Sequence, residues 1–161
     1  MKQLELYWHD KPRRRNTLVK DNLDDVELTL HALHQERLAN HIEVARDGEE
    51  ALDFLFCRGP YAQRSFEQAP RVVLLDLKLP KVDSMEVLRG IKKDPHTKAI
   101  PVVILTASRE ESDMANGYHL GANGYVQKPV DFDNFRNLVK QLGLYWLVVN
   151  QPPAAVAFQA K

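Results

Sequence analysis

Five residues of this sequence could do chemistry together: Lys20, Asp21, Asp76, Thr106 and Lys128. Each follows, or closes, a short run that reads as a strand. Lys20 and Asp21 come after Thr17-Leu18-Val19, and Asp76 after Val72-Val73-Leu74-Leu75. Thr106 comes after Pro101 to Leu105, and Lys128 after Gly124 to Gln127. Two carboxylates, a hydroxyl and an ammonium suit phosphoryl transfer to a carboxylate oxygen, with Asp76 as nucleophile. Asp21 and Asp76, joined by the backbone carbonyl of Lys78, offer the hard oxygen ligands that Mg²⁺ takes. Lys128 and the Thr106 hydroxyl would meet the remaining phosphoryl oxygens, over which charge is spread in the transition state. Taken singly, such residues more often cap helices, form turns or face water. Four matching types at the ends of four strands, in order, outweigh that plainer reading.

Bringing them to one place requires strands that end on one edge, and the pattern supplies them. After the first strand, Leu23, Val26, Leu30 and Leu33 recur at helical spacing, with Asn22 as N-cap. His41 to Ala45 reads as a second strand, Asp47-Gly48 as a turn, and Glu49 to Phe56 as a second helix. A polar stretch with Gly59, Pro60 and Pro70 follows, longer than the usual connection. Val72 to Leu75 is apolar throughout, as in a parallel strand covered on both faces. Met85, Leu88 and Ile91 mark a third helix that must stop near Asp94-Pro95, because the residue before proline avoids helical geometry. Glu110 to Leu120 reads as a fourth helix closed by Gly121, and Phe132 to Leu142 as a fifth, with Asp131 near its start. Five βα units in alternation predict a doubly wound α/β sheet of five parallel strands in a single domain. The active edge of such a sheet is the one at the strands' carboxyl ends.

The bulk numbers agree. The chain has 161 residues, 44% hydrophobic and 27% charged, enough to bury one core. Its net charge of zero gives no reason to invoke nucleic acid or an anionic membrane. The basic run Lys11-Pro12-Arg13-Arg14-Arg15 reads as a solvated leader. One cysteine, Cys57, excludes an internal disulfide and suits a reducing compartment. With no apolar run of membrane length and no signal-peptide pattern, the chain reads as soluble and cytoplasmic. The expected layout is a leader over 1–14, the domain over 15–149 and a loose Pro- and Ala-rich tail over 150–161.

Three segments carry a resemblance. Val72 to Pro80, Ile104-Leu105-Thr106-Ala107 and Gly121 to Pro129 resemble the phosphorylation, switch-threonine and lysine-proline segments of response-regulator receivers. The resemblance covers about residues 15 to 143. It implies a flavodoxin-like fold, a sensor histidine kinase that donates phosphate to Asp76, and direct metal ligation by Asp21. It further implies that Thr106 moves toward the phosphate while Tyr125 rotates between exposed and buried positions. The output face would be the fourth helix, fifth strand and fifth helix. Such a protein is not an enzyme beyond its own phosphotransfer and autodephosphorylation. With no DNA-binding or enzyme domain following, the chain resembles a stand-alone receiver that signals by protein contact. Asp21 to Leu28, the long segment before the third strand, and Leu142-Gly143-Leu144-Tyr145-Trp146-Leu147 resemble single-domain regulators paired with bacterial and cyanobacterial phytochrome kinases.

Two positions depart from that family. Most receivers have two acids after the first strand, and here Lys20 replaces one. Three carboxylates and Lys128 would sum to −2, whereas with Lys20 the set sums to zero. A unit charge at about 4 Å contributes on the order of 4 kcal/mol at an effective dielectric of 20. Mg²⁺ binding should therefore weaken, with Lys20 either reaching Asp76 as a substitute cation or pointing to solvent. Ser84 stands where many receivers have glycine, at a cost of roughly 1 kcal/mol if the position needs a positive φ.

The end of the fifth helix, Leu144 to Val149, is apolar all round, while a helix buries only one stripe. Tyr145, Trp146 and Leu147 are accordingly expected in a homodimer interface. Two rivals are a receiver-shaped adaptor or dimerisation module that takes no phosphate, supported by Lys20, and a flavin-binding or hydrolytic enzyme on the same fold. The second lacks a glycine-rich phosphate loop and a Ser/His or Cys/His pair.

Overall fold

The structure, a computed structural model, describes residues 16–20, 22–35, 42–77, 79, 81–129 and 131–151. Its strands are β1 (Asn16–Val19), β2 (Ile42–Ala45), β3 (Val73–Leu75), β4 (Val102–Thr106) and β5 (Gly124–Gln127). Its helices are α1 (Leu23–Gln35), α2 (Gly48–Leu55), α3 (Ser84–Lys93), α4 (Glu111–His119) and α5 (Phe132–Gly143). The strands form one parallel sheet in the order β2-β1-β3-β4-β5. This is the doubly wound, flavodoxin-like (βα)5 arrangement the sequence predicts.

Alternation along the central strands divides the core into two layers. Val73, Leu75, Val102 and Ile104 pack with Phe54, Leu55, Val87, Leu88 and Ile91 of α2 and α3. Val72, Val103 and Leu105 pack on the opposite face with Leu142 of α5, beside a cluster joining α1 to α5 through Ala32, Leu33, Phe135 and Val139. Both faces are covered, which is why these strands read as unbroken apolar runs.

Local signals set the helix starts. The Asn22 side chain accepts from the Asp24 amide at 3.0 Å, and Asp47 accepts from the Glu50 amide at 2.8 Å. Gly48 is thus the first residue of α2 rather than part of a free turn. A Cβ on Gly48 would lie 2.3 Å from the Val82 carbonyl oxygen, so only glycine lets α2 pack against that loop. Gly121, at φ 106°, ends the turn after α4 in a conformation L side chains rarely adopt.

The long connection between α2 and β3 is built, not slack. It contains two 3-10 turns, Gly59–Tyr61 and Phe66–Gln68. The Tyr61 hydroxyl donates to Glu50 at 2.9 Å and Glu43 at 3.3 Å, and its ring meets Phe54 edge-on. The Arg64 guanidinium lies 3.6 Å from the Phe54 ring centre and donates to the Phe54 and Gln68 carbonyls. Phe66 stacks on His96, giving that histidine a structural contact.

At the other end, α5 continues into a π-helical segment, Leu144–Val149. The Asn150 amide donates to Tyr145, and its carbonyl accepts from Arg71 at 3.0 Å, so the chain is held as far as Asn150. Trp146 turns inward onto the Val72, Val103, Leu105 and Leu142 cluster. Tyr145 is 51% exposed, and Leu144, Val148 and Val149 also face solvent. The side chain of Leu147 lies outside the description. Among the described residues no helix is long and apolar enough to cross a membrane.

Candidate functional site

The carboxyl edge of the sheet is assembled by backbone hydrogen bonds before any side chain acts. The Asp76 amide donates to the Val19 carbonyl of β1 at 3.0 Å, and the Lys20 amide to the Ala45 carbonyl of β2 at 3.0 Å. The Lys128 amide donates to the Thr106 carbonyl at 2.7 Å. Parallel register therefore places Lys20, Asp76, Thr106 and Lys128 side by side at the ends of β1, β3, β4 and β5. Asp21 and Lys78, the other two expected metal ligands, lie outside the described residues.

Asp76 stays reachable, with its side chain 13% exposed. Two ammonium groups address the same oxygen: Lys128 Nζ donates to Asp76 Oδ2 at 3.3 Å, and Lys20 Nζ lies 3.8 Å from it. Lys20 is fully buried, so it does not point to solvent. An ammonium removed from water is tolerated only when paired. The ion pair with Asp76 supplies the pairing, and Lys20 thus occupies the substitute-cation position.

Ser84 departs from expectation. Its backbone is helical, at the first position of α3, and carries no positive φ. Its fully buried hydroxyl donates to the Asp76 carbonyl at 2.6 Å. The condition for a glycine penalty is therefore not met, and the serine instead holds the Asp76 backbone. Position alone gave one clue: Ser84 opens the helix that follows the acceptor loop.

Thr106 is 4% exposed, and its Oγ1 accepts from the Ser108 amide at 3.2 Å. Ser108 was not singled out from sequence, yet it links the neighbourhood. Its hydroxyl donates to Asp113 on α4 at 2.6 Å, and its carbonyl lies 3.5 Å from the hydroxyl of half-buried Tyr125. Thr106, Tyr125 and α4 thus meet at one residue. A hydroxyl two residues after Thr106, on the way into a helix, is a common turn former, and that was the available signal.

The fit of a divalent cation turns on Lys20. The oxygen donors a hard cation would take, Asp21, Asp76 and the Lys78 carbonyl, are all in the chain. By donor type this set suits such a cation; of the three, Asp76 is among the described residues, and an ammonium already lies beside its Oδ2.

A doubly wound parallel sheet with a reachable aspartate, two lysines and a buried threonine at its carboxyl edge defines a receiver-type α/β domain. The chain belongs to the response regulator receiver domain family, which matches residues 17–140. It is 39% identical over 136 residues to the probable methanogenesis regulatory protein FilR2 of Methanothrix harundinacea, covering 84% of this chain and 85% of that one. It is 36% identical over 138 residues to the response regulator Rcp1 of Synechocystis sp., covering 86% and 92%. A crystal structure of phosphorylated RcpA, a cyanobacterial phytochrome response regulator, superposes with a TM-score of 0.81 at 37% identity, over 88% of this chain and 99% of that one. The Mn²⁺-bound form of Rcp1 gives 0.81 at 35% identity over the same shares. The bacteriophytochrome response regulator AtBRR is 50% identical, with a TM-score of 0.65, over 87% and 100%. The chain is thus a response regulator related to those of phytochrome systems.

Proposed function

We propose that this receiver accepts a phosphoryl group on Asp76 from a sensor histidine kinase, in this subgroup a phytochrome kinase, and signals by protein contact. The observation that carries the reading is Asp76 at the carboxyl edge, reachable from solvent, with Lys128 Nζ on its Oδ2. A carboxylate oxygen attacks phosphorus, and the P–N bond to the donor histidine breaks with its electron pair going to the imidazole. The product is an acyl phosphate, and water later returns it to the carboxylate. No other substrate is turned over. Lys128 holds one incoming oxygen, and Thr106 offers its hydroxyl from the neighbouring strand end. Mg²⁺, held by Asp21, Asp76 and the Lys78 carbonyl, would neutralise phosphoryl oxygens when bound. Mn²⁺ in Rcp1 and phosphorylation in RcpA, both related chains, support this.

Rearrangement of Thr106 would reach Tyr125 and α4 through Ser108. The exposed Tyr118 on α4, together with Leu144, Tyr145, Val148 and Val149, favours a homodimer through the α4-β5-α5 face and the segment after α5. Light scattering at micromolar concentration should give twice the monomer mass.

The primary test is incubation with acetyl phosphate and Mg²⁺, followed by intact-mass measurement. One added phosphoryl group is expected on the wild type and none on Asp76→Asn. An unlabelled wild type would favour the adaptor reading.

A further inference from the structure

The site carries a fully buried lysine where its family usually has an acid, and that substitution determines its charge balance. We propose that Lys20 is a built-in counter-cation of the acceptor, which lowers the dependence of Asp76 phosphorylation on divalent metal. The inference rests on the phosphoacceptor reading above and specifies how that site is regulated.

Three observations carry it. Lys20 is 0% exposed, the largest of the fully buried side chains among the described residues. Its Nζ lies 3.8 Å from Asp76 Oδ2, the oxygen that also receives Lys128 at 3.3 Å. Its backbone is pinned to β2 through the Ala45 carbonyl, one residue beyond the Val19 carbonyl that anchors Asp76. The sheet edge thus fixes where the Lys20 side chain starts, and the whole residue is closed off from solvent.

The charge count follows. With Lys20, Lys128, Asp21 and Asp76 the resting site sums to zero, whereas an acid at position 20 would make it −2. Transfer replaces a carboxylate of charge −1 by an acyl phosphate of charge close to −2. The Lys20 site then stands at about −1, against about −3 for a two-acid site. The two-acid site needs a divalent ion to approach neutrality. Here the chain already supplies most of that compensation, and the same ammonium repels an incoming cation from the resting pocket.

The step itself balances without metal. With acetyl phosphate, an Asp76 oxygen attacks phosphorus, the bond from phosphorus to the acetate oxygen breaks, and acetate leaves with the electron pair.

Wild type, Lys20→Met, Lys20→Gln, Lys20→Asp and Asp76→Asn would be compared in two measurements. Calorimetric titration with Mg²⁺ and Mn²⁺ involves no phosphoryl chemistry. Affinity should rise by at least about tenfold from wild type to Lys20→Met and by more in Lys20→Asp, the direction expected for removing and then reversing a unit charge beside the carboxylate that would hold the metal. Phosphoryl uptake from acetyl phosphate is then timed by intact mass in Mg²⁺ and in EDTA. The wild type should keep at least about a tenth of its Mg²⁺ rate in EDTA, and Lys20→Met should lose on the order of tenfold more. Equal metal affinity across the series would overturn the proposal, as would the same EDTA loss in wild type and Lys20→Met. Lys20→Gln covers the case in which one replacement does not fold, and the wild-type EDTA measurement needs no variant. A wild type that takes up no phosphoryl group in either buffer would instead overturn the phosphoacceptor reading, and the titration would still decide the role of Lys20.

Discussion

Ser84→Ala removes one oxygen atom and nothing else from the floor of the site. The donor–acceptor distance to the Asp76 carbonyl is 2.6 Å, and Ser84 is fully buried. The variant therefore leaves a carbonyl acceptor without its hydroxyl donor in a place that water does not reach. A buried group left unsatisfied costs about 1–3 kcal/mol. Alanine's better helix propensity returns only a few tenths at the first position of α3. The net loss should be about 1–2 kcal/mol, which lowers Tm by roughly 3–8 °C in a domain of this size. Calorimetry or circular dichroism on the unphosphorylated protein would measure it. The same variant should slow phosphoryl uptake from acetyl phosphate by a few-fold, because the acceptor's backbone is less firmly set. Ser84→Thr keeps the hydroxyl but adds a methyl group where no space is exposed, so it should be destabilised by overpacking, by roughly 1–3 kcal/mol. A Ser84→Ala protein melting within about 1 °C of wild type, with unchanged uptake, would show that the bond to Asp76 does not hold the site.

Lys128→Met should slow phosphoryl uptake by about tenfold or more, since a charge-assisted donor to the acceptor oxygen is lost; intact mass against time measures it. Burial lowers Lys92 to about 8 from an ordinary 10.5, although its ammonium reaches Ile100, Lys98 and Asn123. The unfolded chain then binds more protons than the folded one between about pH 8 and 10.5, so this group makes stability rise with pH in that window. With partial exposure the effect is about 1–2 kcal/mol, read as the difference in urea midpoints between wild type and Lys92→Met at pH 7.5 and 10. Trp146→Ala should cost about 2–3 kcal/mol from its inward packing. Tyr145→Ala, at an exposed position, should change stability by less than about 0.5 kcal/mol while shifting any dimer measured by light scattering toward monomer.

The sheet and its acceptor were legible because burial on both faces writes an unbroken apolar run, and a polar residue ending such a run stands out. Asp76 and Thr106 share that signature, whereas Lys128 follows the partly buried Gly124-Tyr125-Val126-Gln127 and was placed by the order of the strands. The orientation of Lys20 was not legible, since a lysine at a strand end has the same letter whether it faces water or the acceptor. The bond made by Ser84 was not legible because its partner is a backbone carbonyl, which leaves no trace in side-chain patterns. The connection before β3 read as polar linker for a similar reason. Its anchors, Tyr61, Arg64 and Phe66, are single long side chains without period. The π-helical end has no sequence rule of its own, so the inward turn of Trp146 could not be separated from the outward turn of Tyr145.

The strand order β2-β1-β3-β4-β5 puts the acceptor strand in the middle, hydrogen-bonded on both sides, and β5 with Tyr125 at a margin. On the proposed reading, modification would fall on a strand held on both sides. The Asp76 amide, bonded to Val19, should exchange its proton among the slowest in the chain. A displacement started there meets a strand with a free flank only after crossing β4 to β5 on one side or β1 to β2 on the other. On the proposed reading, the phosphoryl group is received on a strand bonded on both sides and its effect is passed on at a margin of the sheet.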